Sequence, residues 1–300
     1  MPSVAEPSWL RRALIGVGLI TLARVVLLWF NKTDLFVDEA QYWLWGQELA
    51  FGYYSKPPLI GWVIRLSTEI GSNAEFWVRL PAPLFHAATA LVLGAIAARL
   101  FDARAGVVVA LGYVTLPMVA VGSLLISTDT IMFPFLAASL LFYLRMVQTP
   151  RVGLAVLCGL FLGLAFMAKY AAVYFVICAV IAAPFFRPKL EMVLVALGAF
   201  LVTISPNLMW NMLNGLTTLQ HTMDNADWVR DPAARAGLNW DHLAEFFGAQ
   251  FAVFGPVLMA ALLILVARWA RRSGTERLLL IFSLPIIAIV CAQALLNQAY

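Results

Sequence analysis

A small set of ionisable residues stands out in a chain otherwise poor in charge: Asp38, Glu39, Lys56, Asp129, Lys169, His221, Asp224 and Asp227. Asp38 and Glu39 follow an apolar run, in DLFVDEAQYW. A partly desolvated carboxylate at a membrane interface can serve as general base toward a hydroxyl. The spacing also fits a helix cap, with Asp38 at the N-cap and Gln41 closing a capping box, and on spacing alone the cap is the stronger reading. Asp129, in ISTDTIMFPF, sits in a gap so tight that it must lie at a membrane edge, where ionisable groups are costly. It is either functional or a cap shared with Ser127 or Thr128.

Lys56 lies in GYYSKPPLIGW, just ahead of a double proline and flanked by tyrosines. A compact ammonium there suits either a phosphate at headgroup level or anionic lipid. Lys169, in FMAKYAAV, has the same choice, with snorkelling to the interface preferred. His221, Asp224 and Asp227 occur in TTLQHTMDNADW at a spacing that matches no metal signature, so a solvated histidine is expected. Arg24 interrupts an apolar run and either pairs with a carboxylate or snorkels outward. Cys158, Cys178 and Cys291 all lie in apolar runs and are read as buried thiols without chemistry.

The elements that must position these residues are membrane helices. The chain of 300 residues is 63% hydrophobic and 12% charged, against about 25% charged in an ordinary soluble domain. Mean hydropathy is +0.88. An apolar run of roughly 20 residues spans a bilayer, and such runs recur near 13–30, 80–98, 105–126, 131–146, 152–168, 170–186, 190–210, 248–267 and 278–298. This pattern predicts an all-α polytopic bundle of about nine spans forming a single domain over 1–300. The first run, behind Arg11 and Arg12, reads as a non-cleaved signal anchor because it lacks a small-residue cleavage site.

Nine spans place alternate gaps on the same side. One set holds Arg11, Arg12, Arg99, Arg104, Arg145, Arg151, Arg187, Lys189, Arg268, Arg271, Arg272 and Arg277, and this set is cytoplasmic by the positive-inside rule. The opposite set holds only Lys32, Lys56, Arg65, Arg79, Lys169, Arg230 and Arg235. Two long external segments result, 31–79 and 211–247, and loops of that size are usually functional. In the first, Pro58 can open an interfacial helix with Leu59, Trp62, Val63, Leu66 and Ile70 on one face and Arg65 and Glu69 opposite. The candidate carboxylates and lysines therefore share the external face.

Taken together, the DE pair, YYSKPPL, the STD turn, GLAFMAKY and PNLMWNMLNG occur in an order that resembles glycosyltransferase family 39. That family contains protein O-mannosyltransferases and bacterial lipid A aminoarabinose transferases, within the GT-C superfamily. The resemblance implies a GT-C-like helix bundle and inverting transfer of a sugar from a polyprenyl phosphate to a lipid, glycan or protein acceptor outside the bacterial cytoplasmic membrane. It also implies that Asp38, Glu39 and Asp129 are catalytic and that Lys56 lies near the donor phosphate, which reduces capping by Asp38 to the minor reading. Lys169 and Tyr54 join Lys56 at the phosphate, and Tyr53, Tyr170, Asn211 and His221 are further candidate contacts. Family members often carry an acidic residue where this chain has Ser55, so no obligatory metal is expected; a divalent ion is conceivable but has no motif to support it. Members are also usually longer, so a C-terminal part is expected to be absent. The competing readings are a transporter of lipid-linked sugars and a truncated, non-catalytic binder of polyprenyl phosphates. A transporter should place its ionisable groups near the bilayer midplane.

Overall fold

Apolar runs broken by proline, glycine and short polar turns fold into helices, because a chain in hydrocarbon must satisfy its backbone hydrogen bonds internally. The computed structural model describes residues 7–225, 238–269 and 273–296. Among them no strand occurs. The order is α1 (Pro7–Phe30), α2 (Val37–Gln47), α3 (Leu59–Ile70), α4 (Glu75–Arg79), α5 (Pro81–Leu100), α6 (Ala103–Val114), α7 (Pro117–Gly122), α8 (Thr128–Gln148), α9 (Val152–Ala168) and a 3-10 turn at Tyr170–Ala172. It continues through α10 (Val173–Phe186), α11 (Leu190–Leu213), α12 (Thr217–Asn225), α13 (Trp240–Phe254), α14 (Pro256–Ala267), α15 (Gly274–Ile281) and α16 (Leu284–Leu296).

Among the described residues, five helices are long and apolar enough to cross a membrane: Trp9–Phe30, Glu75–Leu100, Thr128–Gln148, Leu190–Leu213 and Gly274–Leu295. A sixth results if α13 and α14, bent by 115° at their junction, form one span. Gly255 makes that bend at φ +79°, a conformation that side chains disfavour, and Pro256 opens α14. Three shorter apolar helices, Ala103–Val114, Val152–Ala168 and Tyr170–Phe186, lie where full spans are expected from sequence. The run expected at 105–126 divides because Pro117 cannot donate to the ladder and biases Leu116 away from helical angles.

The chain divides into two compact units, the first formed by residues 1–172 and 188–210, the second by 173–187 and 211–300. In the first unit α5 packs against α1, α6 and α8, and α8 runs along α9. Ala13, Val17, Ala90, Ala110 and Val114 form a buried cluster between α1, α5 and α6, with Trp9 and Leu111 against it. Small side chains let these helices approach closely where lipid offers no hydrophobic drive to associate. Arg24 neither pairs with a carboxylate nor snorkels. It is buried and donates to Ser123 Oγ at 3.0 Å and to the carbonyl of Val114, the last residue of α6. In the second unit α13 packs on α14 and α16, and α10 on α15 and α16, with Phe175 against Phe282 at 5.1 Å.

In the 31–79 segment, α2 and α3 pack together. Pro58 does sit at the N-cap of α3, and Arg65 pairs with Glu69. Ile60, Ile64 and Ser67 point inward, while Leu66 and Ile70, on the apolar face expected to lie along the membrane, are exposed. Gly46 of α2 lies close against α3, since a Cβ there would stand 2.9 Å from the carbonyl of Gly61.

Candidate active site

Asp38 and Glu39 occupy the second and third positions of α2, whose N-cap is Phe36. The cap expected from Asp38 and Gln41 is therefore not formed. Glu39 reaches back instead, and its Oε2 accepts from Phe36 N at 3.1 Å. The Glu39 side chain is buried and tied to Arg79, with Nε to Oε1 at 3.0 Å and Nη2 to Oε2 at 2.6 Å. Arg79 spends its remaining donors on the carbonyls of Thr33, at 2.9 Å, and Asp34, at 2.8 Å. Oε1 of Glu39 also accepts from Ile126 N, at 2.9 Å. A buried carboxylate with this many charge-assisted and backbone bonds is a fixed strut.

Asp38, its neighbour, is exposed and accepts no hydrogen bond among the described residues. Asp129 lies in the first turn of α8, where Ser127 does the capping by accepting from Thr130 N at 3.2 Å. Its carboxylate is held by Lys169, whose Nζ donates to Oδ1 at 2.8 Å and Oδ2 at 2.7 Å. The pair is 34% exposed at Lys169 and 43% at Asp129, so it faces an open space. Lys169 thus does not simply snorkel. The break that frees it is the end of α9 at Ala168, followed by the 3-10 turn.

Lys56 is half-buried, and its ammonium donates to no group among the described residues. Burial and the nearby charge of Lys169 push its pKa below 10.5, with Asp38 and Asp129 partly offsetting the shift. Lys169, Asp38 and Asp129 therefore all lie within electrostatic reach of Lys56. Tyr42, one turn after Asp38 on α2, lies with its ring buried; burial, then the charges of Asp38 and Asp129, hold its phenol protonated well above the usual range.

The segment bearing Lys56 is fixed on several sides. The Tyr53 hydroxyl donates to the carbonyl of Trp45 at 2.9 Å, the two rings stack at 5.0 Å, and Tyr53 N donates to the Lys56 carbonyl at 3.1 Å. Trp62 Nε1 donates to the Ala50 carbonyl at 2.8 Å. Gly52 lies under the Trp210 ring, where a Cβ would come within 2.3 Å. Asn207 Nδ2 donates to the Phe51 carbonyl at 2.7 Å, and the Tyr170 hydroxyl donates to Asn207 Oδ1 at 3.0 Å. Tyr53 and Tyr170 are thus braces, whereas Tyr54 is exposed beside Lys56.

Asn211 and His221 belong to the second unit. Asn211 is buried, and its carbonyl accepts from Leu216 N at 2.7 Å across the turn that starts α12. His221 is half-exposed on α12; Asp224 lies in the last turn of that helix, and Asp227, Arg230, Arg235, Arg271 and Arg272 lie outside the described residues.

Sequence reasoning missed Arg79 and Asn207 as site supports. Arg79 had a signal, since it is a cation on the arginine-poor side, directly before an apolar run. Asn207 had another, since an amide inside such a run must find partners.

Residues 55–210 match the family model described as dolichyl-phosphate-mannose-protein mannosyltransferase. Over 296 residues, 97% of the chain, the sequence is 43% identical to the lipid A galacturonosyltransferase RgtD of Rhizobium johnstonii. The chain spans 62% of that relative's length. The fold is similar to crystal structures of ArnT from Cupriavidus metallidurans, apo (TM-score 0.69, 21% identity, 93% of this chain, 55% of that one) and bound to undecaprenyl phosphate (0.67, 20%, 93%, 56%).

Proposed function

This chain belongs to the dolichyl-phosphate-mannose-protein mannosyltransferase family, and from that premise we propose that it transfers a sugar, with inversion, from a polyprenyl phosphate to a lipid acceptor at the external face of the bacterial cytoplasmic membrane. The observation that carries the reading is the carboxylate of Asp38, unpaired among the described residues, within electrostatic reach of the Lys56 ammonium, which donates to none of them, with Lys169 also in reach. A base and an anion site are what one displacement on a glycosyl phosphate requires. The acceptor oxygen bonds to the anomeric carbon as the carbon–oxygen bond to phosphate breaks. Its proton passes to Asp38, and the leaving electron pair stays on the phosphate, where Lys56 and Lys169 neutralise it. Asp129 orients Lys169, and Glu39 positions Asp38 without touching substrate.

Undecaprenyl phosphate bound to the similarly folded ArnT supports a polyprenyl donor. The name of the RgtD relative makes lipid A the first acceptor to test and a galacturonosyl group the first sugar. The test incubates the intact protein in liposomes with undecaprenyl-phosphate galacturonic acid and lipid A and follows donor loss. Turnover by wild type and its collapse in Asp38→Asn support the proposal. Equal rates in the two remove Asp38 as base, and donor that crosses the bilayer without being consumed favours a transporter.

A further inference from the structure

The first turn of α8, which carries Asp129, is weakly held by its own helix. Pro134 has no N–H, so the Thr130 carbonyl lacks its usual partner four residues on. Contacts from other helices must therefore locate this turn.

Two such contacts flank Asp129, and both originate on the span Glu75–Leu100, in which α4 passes into α5 through Leu80 at helical backbone angles. On the N-terminal side, Arg79 holds Glu39, which accepts from Ile126 N. On the other side is His86, seven residues from Arg79 and so on the same face of that span. His86 is buried. Its Nε2 lies 3.3 Å from Thr130 Oγ1 and its Nδ1 3.0 Å from the Tyr113 hydroxyl. Thr130 Oγ1 lies in turn 3.0 Å from Ser127 Oγ, the cap of α8.

Protons can run along this chain in either sense, from Tyr113 O–H to Nδ1, Nε2–H to Thr130 Oγ1 and Thr130 O–H to Ser127 Oγ, or the reverse with the other imidazole tautomer; in both senses Ser127 Oγ accepts Thr130 N–H and every group has a partner. Gly122 completes the fit, since a Cβ there would stand 3.1 Å from Nε2. A buried imidazole inside a span is costly unless its partners are fixed, and here they end on the turn that presents Asp129.

We infer that His86 is a positioning residue, which through Thr130 sets the place of Asp129 and hence of its partner Lys169. Its effect on turnover rests on the proposed transfer reaction; its effect on the α8 turn does not. The test compares His86→Phe, His86→Gln, Thr130→Val and Thr130→Ser in the intact reconstituted protein, by amide hydrogen exchange over 126–130 and by kcat and donor KM. His86→Phe and Thr130→Val are expected to speed exchange in the turn and to lower kcat about tenfold, with KM within about twofold, as a misplaced group does. Gln and Ser keep a polar partner and should recover most of both, and the double variant should be no worse than either single one. Unchanged exchange in folded His86→Phe overturns the inference, as does a loss that Thr130→Ser fails to restore. If wild type shows no turnover, the transfer reading fails while exchange still decides the role of His86.

Discussion

Asp38 and Glu39 are adjacent in the chain and opposite in environment, because successive helical residues point about 100° apart. The strut has to be Glu39, since its longer side chain reaches Phe36 N, Arg79 and Ile126 N together. Asp38 is left facing outward. In the proposed reaction Asp38→Asn should therefore reduce kcat by about a hundredfold or more, the range for a lost general base, while donor KM changes little; steady-state kinetics in liposomes checks this. Lys56 makes a second prediction. Its ammonium is disfavoured by burial and by Lys169, so it loses its proton at a pH below 10.5. Affinity for the donor phosphate should be full below that lowered pKa and should fall as pH rises through it. Lys56→Arg, which stays charged, should move the alkaline limit upward in a binding titration. The sign for stability is the reverse: the unfolded lysine holds its proton longer, so this residue penalises the fold less as pH climbs from the lowered pKa toward 10.5.

At the scale of elements, the Arg79–Glu39 pair joins the chain before α2, α2 itself and the turn before α8. Removing one partner of a fully buried pair strands the other, so Arg79→Met should cost about 3–5 kcal/mol, measured by unfolding of the intact protein in mixed micelles. Transfer should fall with it, since both carboxylate-bearing helices lose their common tie. The α9–α11 contact follows other physics. A Cβ at Gly159 would lie 2.0 Å from the Ala196 carbonyl, and one at Gly163 would lie 2.5 Å from Thr203 Cβ. The spacing of these glycines is that of close-packed membrane helices. Gly159→Val should lower the melting temperature, whereas Gly153→Val, which meets nothing within 4 Å, should not.

For the molecule as a whole, the arginine bias gives the spans a direction. In a cysteine-free background, Ser72→Cys in the first external segment should react with an impermeant thiol reagent from outside intact cells. Arg104→Cys, on the arginine-rich side, should react only after permeabilisation; both positions are exposed. Labelling of Arg104→Cys from outside would reverse the orientation. Hydropathy sums composition over a window and does not register where Pro117 or Gly255 bends the chain. About nine spans are expected from sequence, and among the described residues five helices, or six with the bent pair, have the length to cross.

The sequence by itself determined the membrane class, the helical architecture and the family, since each depends on composition, run length or motif order, and it nominated Asp38, Lys56, Asp129 and Lys169 as candidates. It could not separate a cap from a reactive carboxylate, because Asp38, Glu39 and Asp129 all satisfy the same local spacing rules. Tertiary structure supplies what spacing lacks: Glu39 is bonded to Arg79 and Asp129 to Lys169, forty residues away in each case, and Asp38 is exposed. Such pairings depend on which helix faces meet, and a single chain's local pattern carries no record of that.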